Sequence, residues 1–274
     1  MRNHLRTVAV VLAVLVPVPS FAVPIIFEAS GANAGAIQGS VDAFRTALGT
    51  LNPNVAGSVG SGRREINWDG VPDLFSAPNA LPPDFFNVNS PRGVVLSTPG
   101  TGFQVSSTLV SGVPVQFGNI DPLFPTLFEP FSQQRLFTAL GSTITDVNFF
   151  IPGAPTSALT NGFGAVFTDV DAADSTTIEF FAGSTSLGLF NVPAAAGNET
   201  FSFFGIQFSE GAIVSRVRIT SGNQVVGTGT QGDVVVMDDF IYGEPVEAAV
   251  PEPGAMALIG FGAAALLRRR RRGL

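Results

Sequence analysis

The chain of 274 residues contains no cysteine and no lysine, and its single histidine is His4. Each absence removes a class of chemistry. Without thiols there is no disulfide staple and no cysteine nucleophile. Without imidazole beyond residue 4 there is no histidine-based triad and no ordinary zinc centre, which draws on imidazole or thiolate ligands. Without lysine there is no Schiff base. Tryptophan and tyrosine occur once each, so aromatic rings with a polar tip are scarce. What remains is carboxylate, hydroxyl and guanidinium chemistry, together with hard metals held by oxygen, calcium foremost.

What is abundant points to β-structure. There are 31 glycines, 20 prolines and 25 phenylalanines, and 45% of residues are apolar. That composition supports a sizeable core crossed by many turns, as in a sandwich or barrel. All 14 basic residues are arginines. Arg2 and Arg6 stand near the start and Arg268 to Arg272 near the end. Residues 23–250 hold seven arginines against 20 acidic residues, a net charge of −13. Such a surface repels nucleic acid, whose phosphates need neutralising cations. It stays soluble or draws divalent cations.

The two ends read as targeting segments. Arg2, His4 and Arg6 precede an unbroken apolar run from Val8 to Val16, which Pro17 and Pro19 close. Ser20 and Ala22 then place small residues at −3 and −1 of a cut after Ala22, the pattern of a secretory signal peptide over 1–22. Nine apolar residues are too few for the alternative, a retained anchor that spans with ~20. At the other end Pro251-Glu252-Pro253 precedes fourteen apolar residues, Gly254 to Leu267, and then five arginines. As a transmembrane-type helix these cover about 21 Å, short of a ~30 Å hydrocarbon core. The arginines orient the stretch with its N-terminal side outside.

This order of triplet, short apolar stretch and arginine cluster closely resembles the PEP-CTERM sorting signal of bacterial exosortase substrates. The resemblance covers about residues 249–274. It implies export, recognition by a membrane-embedded exosortase, transient membrane insertion and removal of the tail near Pro251, Glu252 and Pro253, which act as substrate residues. It also implies a bacterium that makes extracellular polysaccharide and biofilm matrix.

Between the ends, Ile37, Val41, Phe44 and Leu48 recur on one helical face and predict a helix near 34–48 in an N-terminal segment, 23–62. Short apolar runs separated by turn residues then predict about eleven strands. They are 93–98, 101–106, 115–119, 134–139, 144–151, 162–170, 177–181, 187–192, 201–208, 213–220 and 233–242. Val217 and Ile219 alternate with Arg216 and Arg218. Gly183-Ser184-Thr185 marks a hairpin. The expected fold is a mostly β, antiparallel sandwich over 63–245, followed by a linker and the sorting signal over 246–274. Gly162-Phe163-Gly164, Asp169-Val170-Asp171, Leu187-Gly188 and Asp238-Asp239-Phe240 resemble a jelly-roll pattern of exported bacterial proteins. That likeness implies a fold shared by carbohydrate-binding modules and many non-binders.

Three groups carry candidate chemistry. Asp169, Asp171 and Asp174 could offer oxygens to calcium, although Asp174 at position 6 and Phe180 at position 12 are not an EF-hand; the alternative is a solvated acidic turn. Asp238 and Asp239 lie in the last strand, where neighbouring side chains face opposite ways. At least one should then be buried and need calcium, backbone amides or an arginine such as Arg216 or Arg218. Trp68 with Asn67 and Asp69 could form a sugar-stacking platform, the alternative being core packing. Arg63 and Arg64 read as surface residues or carboxylate partners. The function expected is a non-enzymatic surface or extracellular-matrix protein, calcium-stabilised and weakly glycan-binding. The alternative is a carboxylate-based glycan-active enzyme, a glycosidase or lyase.

Overall fold

The computed structural model describes residues 23–248 except 228 and 230. Ala22, Pro251, Glu252 and Pro253 lie outside the described residues. Among the described residues no helix is long and apolar enough to cross a membrane.

The elements, in order, are β1 (Pro24–Gly31), α1 (Ala34–Leu48), β2 (Arg63–Ile66), α2 (Phe85–Val88), β3 (Val94–Ser97), β4 (Gly102–Val105), β5 (Phe137–Leu140) and β6 (Ile144–Phe149). They continue as β7 (Gly162–Thr168), β8 (Thr177–Ala182), β9 (Thr185–Asn191), β10 (Phe201–Phe208), β11 (Arg216–Thr220) and β12 (Val236–Gly243). One sheet orders its strands β1-β10-β7-β12-β5-β4, with β2 also on β12; the other runs β3-β6-β11-β8-β9. Their strand pairs are all antiparallel. From β5 onward the chain changes sheet at every connection except the β8–β9 hairpin, where Gly183 takes φ 60°.

Alternation sorts side chains between the sheets. On β7, Phe163, Ala165 and Phe167 enter the main core; on β11, Val217 and Ile219 do, as the sequence predicts. Each such apolar side chain contributes about 1.5–3 kcal/mol on burial. Helix α1 covers the outer face of the larger sheet. Asn33 caps it by accepting from the Ala36 N–H, and Gly49 ends it with φ 99°. Its stripe of Ile37, Val41, Phe44 and Leu48 packs on Val166, Phe201, Phe203 and Ile241. Gly164 and Gly205 sit opposite each other in β7 and β10. A Cβ on Gly164 would meet the Phe44 ring at 2.8 Å, and one on Gly205 would meet it at 3.2 Å, so the pair forms the notch that seats Phe44.

The N-terminal segment 23–62 packs on the sandwich. β1 pairs with β10 through eight register positions, and α1 packs on the same sheet. Strand β1 escapes period-two reading because Ile25, Ile26 and Phe27 run without alternation on a half-exposed sheet edge. The run 115–119 is not a strand, because Gln116 and Phe117 both take left-handed φ (49° and 62°).

Arg64 is fully buried, not a surface residue. Its guanidinium grips the Glu244 carboxylate with two bonds, of 2.7 and 2.9 Å. It also donates to the carbonyls of Pro53, Val55, Gly57 and Pro91. Glu244 in turn accepts from the Asn52 amide and the Val59 N–H. Removing one member of a buried ion pair strands its partner, at a cost of about 3–5 kcal/mol. Urea unfolding of Arg64→Ala should show a loss of that size. Arg218→Ala, at a half-exposed pair, should lose less than ~1 kcal/mol.

Candidate functional site

Trp68 does not form a platform. It is 1% exposed and lies parallel to Phe137 at 4.0 Å, with Phe86 and Phe240 edge-on. Its indole N–H donates to the Asp238 carbonyl at 2.7 Å. The indole is thus a core residue whose one polar atom is satisfied. Trp68 takes φ 63°, and the chain turns there to leave Asp69 half-buried.

Asp69 is one wall of a groove. Residues within 108–116 and 130–134 form the other walls, and the Gln116 amide donates to the Phe128 carbonyl at 2.7 Å. Beneath them Phe117, Phe124, Phe128, Leu136, Val234 and Val236 make a separate apolar cluster. One lobe, of about 220 Å³, is lined by Asp69, Thr108, Gln133 and Gln134. The adjoining lobe, also about 220 Å³, shares Gln134 and adds Leu109, Val115, Gln116 and Pro130. Gln116 and Gln134 hold left-handed backbones, φ 49° and 78°, an energetically costly conformation that clusters at ligand clamps. Leu109 and Val110 project from the rim, 79% and 93% exposed. Sequence reasoning found Asp69 and missed the glutamines, because the two loops meet only in the fold.

Asp238 and Asp239 lie behind this groove, and they do not face opposite ways. A β-bulge falls between Met237 and Phe240, both of which point into the main core. The bulge sits where β12 changes partner from β5, at Met237, to β2, at Phe240. The two intervening carboxyls therefore both turn to the outer side. Asp238 accepts from the Phe131 N–H at 2.7 Å, the Ser132 N–H at 3.2 Å and the Ser132 hydroxyl at 2.9 Å. Asp239 accepts from Arg45, which also holds Glu65 with two bonds. Oδ1 of Asp239 is buried without a partner. Burial, and then the neighbouring Asp239 charge, push Asp238 well above the usual carboxylate range. Burial raises Asp239 too, against the pull of Ser132 and Arg45. Burial likewise raises Asp69.

Asp169, Asp171 and Asp174 occupy a turn at the end of β7. Asp171 accepts from the Gly197 N–H at 2.7 Å, and Asp174 accepts from the Asn191 amide. Asp233, absent from the sequence reading, caps the turn by accepting from the N–H groups of Asp171 and Ala172 and from the Ser175 hydroxyl. Asp169 is 4% exposed, and its Oδ1 has no partner. Burial, then the charges of Asp171 and Asp233, push it up to about 7. Among the described residues no group of three or more histidine, cysteine or acidic side chains is arranged to hold a metal ion.

The arginines expected near these carboxylates are elsewhere. Arg216 and Arg218 both hold Asp146, with bonds of 2.8 Å, in a register that places Arg218 opposite Asp146. Arg216 also stacks on Phe181 at 3.8 Å. Arg45, Arg63, Arg64 and Arg135 pair with carboxylates, and Arg92 bonds Asn54 and Ser90 and lies over Phe86. All seven arginines of the described region are thus engaged within the chain.

Comparison with known proteins adds one finding. Residues 249–272 match the PEP-CTERM protein-sorting motif. The motif marks an exosortase-sorted protein, exported to the cell envelope or surface. No curated protein and no solved structure is significantly similar to the chain.

The raised carboxyls fix a pH dependence. Asp169 near 7, against an ordinary 3.8, keeps a proton in the folded state that the unfolded chain has released. Its stabilising protonated form is fully present below about pH 4 and is lost as pH rises through 7. Raised Asp238 and Asp239 act with the same sign. Asp146, held low by Arg218 and Arg216 against its burial, acts oppositely and only in more acid solution. Urea unfolding from pH 5 to 8 should show falling stability, with a slope up to ~1.4 kcal/mol per pH unit for each proton released. Asp169→Asn should flatten part of it.

Proposed function

We propose that this chain is a non-enzymatic protein of a bacterial surface or extracellular matrix, sorted by exosortase and weakly binding a neutral glycan in the Asp69–Gln134 groove. The observation that carries the sorting half is the motif match at 249–272. The Pro251-Glu252-Pro253 triplet and the apolar stretch too short for a permanent span agree with tail removal. Mass spectrometry of the exported protein should find no peptide from Leu258 to Leu274; an intact C-terminus would overturn it.

The glycan half draws on the groove's chemistry. Amides, a hydroxyl and one carboxyl stand beside an apolar ledge of Leu109, Val115 and Pro130. That mixture suits a polyhydroxylated ring with polar edges and C–H faces. A polyanion is disfavoured, because the arginines are engaged and the domain is acidic. The enzymatic reading, which needs two carboxyls flanking one bond, has less support. Asp69 is the carboxyl in the groove lining, and Asp238 and Asp239 are 1% and 2% exposed, sealed from any substrate. Calcium has one favourable feature, the unpartnered Oδ1 of Asp169. Burial and the charges of Asp171 and Asp233 favour the protonated form of this carboxyl.

Calorimetric titration of the exported protein with neutral oligosaccharides should give binding that Gln133→Ala and Thr108→Val, both at solvent-facing walls, weaken tenfold or so, about 1.4 kcal/mol. Undiminished binding in both variants would move the ligand off this groove.

A further inference from the structure

We propose that Glu210 is a receptor for the α-ammonium group created when the leader is cut after Ala22, so that closure of the first strand captures the processed terminus. The proposal rests on the export reading above. The Val23 backbone N–H donates to Glu210 Oε1 at 2.9 Å, across 187 residues of sequence. The Val23 carbonyl accepts from the Ser209 N–H at 3.4 Å. From the next residue onward, β1 is paired with β10, Pro24 opposite Phe208. Val23 is therefore the last position before the sheet, and both of its backbone groups are already engaged.

Hydrolysis of the Ala22–Val23 bond consumes one water. The hydroxyl goes to the Ala22 carbonyl carbon, and the amide nitrogen leaves as an amine that takes up protons to become an ammonium. A neutral amide donor then becomes a cation facing the same carboxylate, and a charge-assisted bond replaces an ordinary one. The Val23 N–H already holds the exposed Glu210 below the usual carboxylate range. Within the described residues this is the one side-chain bond to the Val23 nitrogen.

The topology also orders the events. β1 leaves the export channel first, but its partner ladder spans residues 201–208. Until those residues emerge, β1 has no partner strand and Val23 lacks its contacts with Ser209 and Glu210. Cleavage comes first, and docking then captures the new terminus.

The composition makes the test clean. With no lysine in the chain, the α-amine is the only primary amine of the processed protein. N-terminal sequencing of exported protein should begin at Val23. At pH 7.5 an amine-specific acylating reagent should label the folded wild type about two- to eightfold more slowly than Glu210→Gln, because a pKa raised by up to one unit above the ordinary ~7.7–8.0 lowers the free amine by up to about eightfold. In urea the two should label alike. A first residue other than Val23 would overturn both the leader reading and this proposal. Val23 with equal folded-state labelling would overturn the proposal alone.

Discussion

The Arg64–Glu244 pair fastens the loop 53–59 and the turn at Pro91 to the β2–β12 ladder. Arg64 comes from the short β2, and Glu244 follows the end of β12. Between them they bind the backbone of 53–59 and the turn at Pro91. Those segments carry carbonyls that would otherwise be buried without donors, each at a cost of about 1–3 kcal/mol. A planar guanidinium satisfies several at once and keeps its charge matched by one carboxylate, a geometry an ammonium would not reproduce. The pair adds to the four residues of β2 that are paired with β12. The β12 bulge follows from the same arrangement, because it marks where β2 gives way to β5.

The legible part of the sequence was the part governed by local period. The stripe of α1, the alternation of β11 and the β8–β9 turn each report a periodicity that solvent on one side and core on the other impose. The illegible part was set by distant partners. Nothing in Asp238-Asp239 says that β12 exchanges neighbours there, so alternation placed the carboxyls on opposite faces and the bulge put them on one. Nothing in Arg63-Arg64 distinguishes the two arginines until β2 is known to be a strand; then Arg64 and Ile66 share the buried side. Trp68 was ambiguous because a lone indole serves equally as ligand platform or core, and only the four-way aromatic packing decides it.

The groove and the acidic interior differ in how they use polar groups. In the groove, amides and a carboxyl stand at the surface on loops stiffened by their own apolar cluster. Any ligand there would meet walls already ordered, and ordering cost would not be subtracted from its few contacts. In the interior, carboxyls are tolerated by holding protons or by being clamped, as Asp146 is by two arginines.

The two chain ends enter the larger sheet at unequal places. β1 is an edge strand, paired along one side only, whereas β12 lies inside the sheet with β7 on one side and β5 and β2 on the other. A pull between the ends would load the two strands very differently. At β1 the ladder to β10 has no support beyond it, but at β12 three strands share the shear. The C-terminal attachment would therefore resist tension that had already stripped the first strand, leaving a tether of only about eleven residues, 23–33, before α1 and the rest of the sandwich felt the load.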